Sequence, residues 1–164
     1  MKRARAVPLQ LEVLDRGRPR TPRPFLARVV RATLAFAERP DLAVSLLLTD
    51  DREIARLHAE HLGDPTPTDV MSFLVDDAAE IVVSVQMARR VAREHGHEPR
   101  AEVALYVVHG LLHTLGFDDV RARDRKRMRA AEREVLAMLG LEVHAVDARE
   151  RVVAASASRR ASRR

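Results

Sequence analysis

The chain contains no cysteine, which excludes disulfide bonds, thiolate nucleophiles and cysteine-ligated zinc sites. It has no tryptophan, one tyrosine and four phenylalanines, too few aromatic rings for the base-stacking platforms of many RNA-binding modules. The longest apolar run, residues 103–108, is far shorter than the roughly 20 residues that cross a bilayer, and the basic start lacks the apolar stretch of a signal peptide. We therefore expect a soluble, cytoplasmic protein that does not bind a membrane and that holds any metal through histidine and oxygen ligands.

The positive charge lies at the two ends of the chain. The net charge is +5, but residues 1–31 carry +7, residues 32–148 carry −7 and residues 149–164 carry +5. Basic ends can contact phosphate groups, although terminal charge runs are more often solvated tails. Residues 145–164 are rich in Ala, Ser and Arg and lack apolar periodicity, so we predict a disordered basic tail after a single domain of residues 1–144.

The spacing of apolar residues predicts an α+β fold. Alternating or continuous apolar runs predict strands at 9–14, 42–49, 69–75 and 80–85. Helical spacing and breaker residues predict helices at 25–37, from 50 to about 62, and at 86–95, 102–115 and 119–139. Because strands dominate the first half and helices the second, we predict one small mixed sheet of about four strands packed by helices.

Two histidines lie inside a predicted helix, residues 102–115, that is apolar almost all round and should be the buried central helix. His109 and His113 are four residues apart, which places their rings on one face within about 6 Å of each other. Two such rings can bind one zinc ion at about 2.0–2.1 Å. For an isolated HxxxH pair, core histidines bonded to backbone carbonyls are the more common alternative.

The residues after this helix favour a metal site. Gly116 can end the helix in the left-handed conformation and fold the chain back, so that Asp118 or Asp119 lies beside the histidines. Two imidazoles and one carboxylate with open coordination positions form a catalytic type of metal site. The alternative is that an aspartate caps the next helix, and one can cap while the other binds metal. Gly110 stands where the HExxH metalloprotease motif has its glutamate, which disfavours a standard metallopeptidase.

Several long motifs resemble the YbeY family. The segment HGLLHTLGFDD, residues 109–119, resembles the family signature His-Gly-x-Leu-His-x-x-Gly-Tyr/Phe-Asp-His, with Asp119 at the place of the last histidine. PTDVMSF at residues 67–73 resembles the family's PTDVLSF, and EIVVS at residues 80–84 resembles its GDIVIS strand. The order of elements agrees over roughly residues 9–142, and motifs of this length at matching separations are specific.

The resemblance implies roles for four residues. His109 and His113 match the first two metal ligands of the family, and Asp119 matches the third by position. A carboxylate oxygen also binds zinc, at about 2.0–2.2 Å, so the exchange can preserve the site. Asp118 matches the family's aspartate, for which we expect an orienting role behind the ligands. The expected cofactor is one divalent metal ion, most simply Zn²⁺.

The implied function is that of a metal-dependent endoribonuclease that acts in ribosomal RNA maturation and ribosome quality control, with ribosomal RNA and ribosomal particles as partners. The stretch from Leu57 to Gly63 resembles the family's LNxxYRG, but His58 replaces its asparagine and Leu62 replaces its arginine. Arg52 or Arg56 on the preceding helix is a candidate substitute for that arginine.

The resemblance leaves the catalytic residues and the protein partners open. The alternatives are a ribosome-associated assembly factor with a structural metal and little nuclease activity, a different metal-dependent hydrolase and, less favoured by the motif, a non-haem iron oxygenase.

Overall fold

Four short strands form one mixed sheet in the computed structural model of the chain, which describes residues 7–143. The strands are β1 (Leu11–Asp15), β2 (Ala43–Thr49), β3 (Val70–Val75) and β4 (Ala78–Ser84). The helices are α1 (Arg23–Phe36), α2 (Asp51–Leu62), α3 (Val85–His95), α4 (Pro99–Thr114) and α5 (Ala122–Met138). The strand order is β1-β2-β4-β3, in which β1, β2 and β4 are parallel and β3 is antiparallel at one edge. The predicted single-domain α+β fold is confirmed.

The two faces of the sheet are covered differently. Val44, Leu46 and Leu48 of β2 are buried and belong to the core that α1 and α4 share with the sheet. The alternate residues Ser45 and Leu47 line the opposite face below α2 and are only half buried. This alternation follows from the two-residue period of a strand.

Helix α4 is the central helix, as the sequence predicts. Residues 101–108 are all buried, and the helix packs against the sheet and against α1, α3 and α5. Gly110 allows close approach to the sheet, because a Cβ atom there would lie 3.1 Å from a methyl group of Val70 and of Ile81. Glu102 is the polar exception inside this apolar helix, and its carboxylate is 2.6 Å from Nε2 of the buried His97. Burial in an apolar environment requires such a partner.

Helix α2 begins with the cap that the sequence predicts, but only half of the capping box forms. The Asp50 carboxylate accepts the backbone N–H of Glu53 at 2.8 Å. The Glu53 carboxylate contacts Arg16 at 3.1 Å and Arg56 at 3.2 Å instead of returning to the Asp50 backbone. A charged guanidinium attracts a carboxylate more strongly than a neutral backbone N–H does.

Element boundaries differ from the prediction by a few residues. Helix α5 begins at Ala122, so Asp119 lies in the loop before it. Strand β4 ends at Ser84, whose hydroxyl accepts the Met87 N–H at 3.0 Å and so begins α3 one residue earlier than predicted. None of the helices in residues 7–143 is long and apolar enough to cross a membrane. The predicted tail, residues 145–164, lies outside the described residues.

Candidate metal centre

Helix α4 holds the two candidate histidine ligands on one face. The rings of His109 and His113 are one helical turn apart, with their centroids 4.6 Å apart and their planes at 81°. The His109 side chain is 13% exposed and the His113 side chain is 30% exposed, so both reach a cavity from an otherwise buried helix. The predicted pairing of the two rings on one face is therefore present.

The chain reverses directly after α4, as the sequence predicts. Gly116 has a φ of +95°, in the region that glycine adopts without strain. The Gly116 N–H donates to the His113 carbonyl at 3.2 Å, and the Phe117 N–H donates to the Leu112 carbonyl at 3.0 Å. The Phe117 ring then packs near Phe36, with 6.3 Å between centroids. This anchored turn directs the following loop back toward the two histidines.

Asp119 completes a group of three ligand-type side chains. Its Oδ2 is 3.5 Å from His113 Nε2 and 3.8 Å from His109 Nε2. Ligand atoms about 2.1 Å from a shared tetrahedral ion are separated by about 3.4 Å, so these distances suit one ion better than direct hydrogen bonds. All three ligand atoms lie within 4.8 Å of one another, and no other trio of His, Asp or Glu in residues 7–143 does so. The group can bind a metal ion.

Glu132 is a member of the site that the sequence analysis did not identify. Its Oε1 is 2.5 Å from Nδ1 of His109, and its side chain is 2% exposed. This contact occupies Nδ1 and leaves Nε2 of His109 for the group around Asp119. A carboxylate behind a ligating histidine is the usual way to fix ring orientation and to raise ligand basicity. The donor set, with this support, therefore fits a divalent metal.

The sequence contained one signal for Glu132. On α5, Met128, Ala131 and Val135 form the apolar stripe that packs on the core, and Glu132 lies within this stripe. A carboxylate at such a position needs a buried partner, because an unpaired buried charge is costly. The partner is 23 residues earlier in the chain and could not be chosen from periodicity alone.

Asp118 and Asp119 do not cap α5. The N-cap residue is Arg121, and no side chain caps that helix end. The exposed Asp118 carboxylate instead accepts the backbone N–H groups of Asp119 at 2.7 Å and of Val120 at 3.2 Å. Arg125 of α5 donates to the Asp119 carbonyl at 3.2 Å. These contacts order the backbone that carries Asp119, and the predicted orienting role of Asp118 stays a prediction.

The trio opens into a cavity of about 730 Å³. The remaining wall consists of residues 68–74, Thr114, His58 and Leu62. The His58 ring is fixed through Nδ1, which is 2.9 Å from the Thr66 carbonyl, and Leu62 is 62% exposed. His58 and Leu62, which replace the asparagine and the arginine of the family pattern, therefore both lie in the wall of this cavity.

The cavity is poor in positive charge. Among the described residues that line it, Asp69 and Asp119 are the charged ones apart from the histidines, and none is Arg or Lys. The candidate substitutes Arg52 and Arg56 do not line it. Hydrogen bonds to Glu53 and Glu60 raise the pKa of Arg56 and hold its guanidinium on the outer side of α2.

Comparison with known proteins places these motifs in one family. The family model Endoribonuclease YbeY matches residues 20–140. The Endoribonuclease YbeY of Heliobacterium modesticaldum is 39% identical over 120 residues, which are 62% of this chain and 72% of that protein. The Endoribonuclease YbeY of Roseiflexus castenholzii is 38% identical over 142 residues, which are 72% of this chain and 89% of that protein.

A solved structure shares the fold. The solution structure of TM1509 from Thermotoga maritima superposes with a TM-score of 0.57 at 23% identity and covers 79% of this chain and 91% of that chain. The family model covers the histidine helix and the turn after it, in agreement with the resemblance seen in the sequence. The chain belongs to the YbeY family.

Proposed function

We propose that this chain is a metal-dependent endoribonuclease that acts in ribosomal RNA maturation and ribosome quality control. The observation that carries the proposal is the trio His109, His113 and Asp119, whose ligand atoms lie within 4.8 Å of one another at an open cavity. Family membership supplies the class of reaction, since the relatives are named endoribonucleases. Cleavage takes place at a phosphodiester bond of RNA in that cavity.

The proposed cofactor is one divalent ion per chain, and we propose zinc, which binds both histidine nitrogen and carboxylate oxygen. His109 Nε2, His113 Nε2 and Asp119 Oδ2 would hold it. When bound, such an ion polarises a phosphoryl oxygen or makes a bound water more acidic. The trio lines the cavity, which is where RNA would enter.

Residues around the trio keep it ready for the metal. Glu132 fixes the His109 ring through Nδ1, so that ring does not have to be ordered when metal or RNA binds. Asp118 and Arg125 hold the backbone on either side of the Asp119 carboxylate. Because these supports come from α5 and its preceding loop, loss of α5 packing would disturb the site.

His58 is the candidate for proton transfer in the cavity. The Thr66 carbonyl is an acceptor, so Nδ1 of His58 must donate to it at 2.9 Å. In the neutral ring, Nε2 then carries no proton and is available to accept one from RNA or water in the cavity. The residue at this position in the family pattern, asparagine, lacks this ability.

A second candidate function is a ribosome-associated assembly factor in which the metal is structural. The observation in its favour is Leu62, an exposed apolar residue in the cavity wall where the family pattern has arginine. An arginine there would bind phosphate and stabilise charge in the transition state, and leucine does neither. Ribosomal RNA, ribosomal particles and the cytoplasm are the proposed partners and location in both cases.

Cleavage of precursor ribosomal RNA separates the two functions. We expect cleavage by wild-type protein, loss of cleavage after chelation, recovery when zinc is restored, and no cleavage by His109→Ala/His113→Ala protein. Metal analysis of the same samples, purified without a metal-binding tag, should find about one ion per wild-type chain. If wild-type, metal-restored and Leu62→Arg proteins all leave the RNA intact but bind ribosomal particles, the assembly factor is the correct function.

A further inference from the structure

A second cavity, of about 550 Å³, lies at the carboxyl ends of the three parallel strands. Its wall consists of Arg16, Gly17, Arg18, Asp50, Val85, Gln86, Arg89, Arg90 and Arg93. Five of these nine residues are arginines, contributed by the loop after β1 and by α3. The carboxyl ends of strands are where open α/β sheets place their ligands, and α2 and α3 both begin at this edge.

The backbone around this second cavity, which we call the arginine cavity, is held by several contacts. Gly17 is buried so close to α3 that a Cβ atom would lie 2.6 Å from a methyl group of Val85. The Asp15 carboxylate accepts the backbone N–H groups of Gly17 at 2.8 Å and of Thr21 at 2.7 Å, which fixes the loop after β1. The Arg89 guanidinium donates to the Arg18 carbonyl at 2.8 Å and ties this loop to α3. The guanidinium groups therefore project from ordered backbone.

Much of the positive charge in the arginine cavity is uncompensated. Arg16 contacts Glu53 at 3.1 Å, and Arg90 contacts Asp51 at 3.0 Å. The arginine side chains of these pairs are 56% and 47% exposed, so water screens both pairs and a phosphate group can compete with the carboxylates. Within residues 7–143, no carboxylate pairs with Arg18, Arg89 or Arg93.

Guanidinium groups bind phosphate in a bidentate manner and are the usual protein contacts to a nucleic-acid backbone. The cavity beside His109, His113 and Asp119, which we call the metal cavity, has no Arg or Lys among its described lining residues. Helix α2 joins the two places: Asp51, its first residue, lies beside the arginine cavity, and Leu62, its last, lines the metal cavity. The helix rises about 17 Å between them, so one RNA strand can span both.

We propose that the arginine cavity binds the phosphate backbone of RNA and so supplies the phosphate contact that Leu62 cannot make in the metal cavity. This inference deepens the proposed function and rests on RNA being the substrate. Contacts of this kind position a strand without reading its sequence. The cavity therefore determines affinity and salt dependence, while the metal centre determines where the strand is cut.

The test measures RNA binding without cleavage. The full-length His109→Ala/His113→Ala protein is titrated onto a fluorescent single-stranded fragment of ribosomal RNA at several salt concentrations, with and without Arg89→Gln/Arg93→Gln. Removing two phosphate contacts should weaken binding at least tenfold and reduce the slope of log K against log salt by about 1.4. The affinity for a second RNA fragment of unrelated sequence should fall by the same factor.

The matched control is Arg31→Gln/Lys126→Gln, which removes the same charge from exposed positions that line neither cavity. It should change affinity less than threefold. Because Arg89 also holds the loop after β1, Arg93→Gln alone is measured too, and it should reduce the slope by about 0.7. Inorganic phosphate should compete with RNA for the parent protein and less for the Arg89→Gln/Arg93→Gln protein.

Equal affinity and slope for the arginine and control variants would overturn the inference, as would binding of an acidic peptide in preference to RNA. The result is independent of nuclease activity, because the parent protein lacks both histidines. If the wild-type chain binds RNA through these arginines but never cuts it, the proposed nuclease function is refuted. RNA binding by the arginine cavity would still stand.

Discussion

The clearest test of the metal centre is at Glu132, because this residue contacts no metal itself. Its carboxylate lies 2.5 Å from His109 Nδ1, and the two side chains are 2% and 13% exposed. A buried, charge-assisted hydrogen bond of this kind is stronger than a bond between neutral groups. Replacing Glu132 removes the partner of His109 Nδ1 and leaves all three proposed metal ligands in place.

Glu132→Gln keeps an oxygen that accepts from Nδ1 but removes the negative charge. Loss of such an outer partner costs 10- to 100-fold in metal affinity, so we expect about tenfold for Gln and about 100-fold for Ala. These factors correspond to about 1.4 and 2.8 kcal/mol. In metal-free protein, Glu132→Ala should also lower the free energy of unfolding by about 1–3 kcal/mol, because Nδ1 loses its partner.

The affinities are measured by zinc competition with a chromogenic chelator, and the stabilities by urea unfolding in chelator. Glu134→Gln is the matched control, since it makes the same chemical change on the exposed side of α5. The reasoning is refuted if Glu132→Gln binds zinc as tightly as Glu134→Gln. If Glu132→Ala loses stability but no zinc affinity, Glu132 is only a packing partner of His109.

Four further changes test individual residues. Asp119→Ala should lower zinc affinity more than Asp118→Ala does, and by more than the 100-fold that loss of a residue supporting a ligand can cost. The opposite order in a competition titration would exchange the roles of the two aspartates. Leu62→Arg should raise zinc-dependent RNA cleavage without changing metal content, and an unchanged cleavage rate would show that the cavity needs no guanidinium there. The asparagine side chain of His58→Asn can still donate to the Thr66 carbonyl but cannot transfer a proton. We therefore expect kcat to fall about 100-fold with little change in KM. An unchanged kcat would exclude His58 from proton transfer. Deleting residues 149–164 removes six arginines and should flatten the salt dependence of RNA binding while leaving the melting temperature almost unchanged, and a large fall in melting temperature would mean that the tail docks on the domain.

The sequence by itself determined the features that depend on neighbouring residues. The apolar surface of α4 predicted a buried helix, and the four-residue spacing predicted that His109 and His113 share a face. Asp50 predicted the start of α2, and Gly116 predicted the reversal after α4. These inferences succeed because helix periodicity, capping and positive φ are local properties of the chain.

The start of α5 could not be predicted exactly, and the reason is again local. Asp118 and Asp119 both have side chains that cap helices, so the sequence could not tell a cap from a metal ligand. The loop is held instead by Arg125, which donates to the Asp119 carbonyl, and α5 begins without a side-chain cap. The hydrogen bond from Arg125 of α5 therefore orders this loop in place of a capping aspartate.

Tertiary structure alone decided which distant residues meet. Glu132 reaches His109 because α5 packs on α4, and the sequence separation of 23 residues carries no periodicity that names the pair. The arginine cavity forms where the loop after β1 meets α3, since the parallel pairing of β1, β2 and β4 brings their carboxyl ends to one edge. Strand order and helix packing are chosen by the burial of the whole core, so the partners they bring together cannot be read from any single segment.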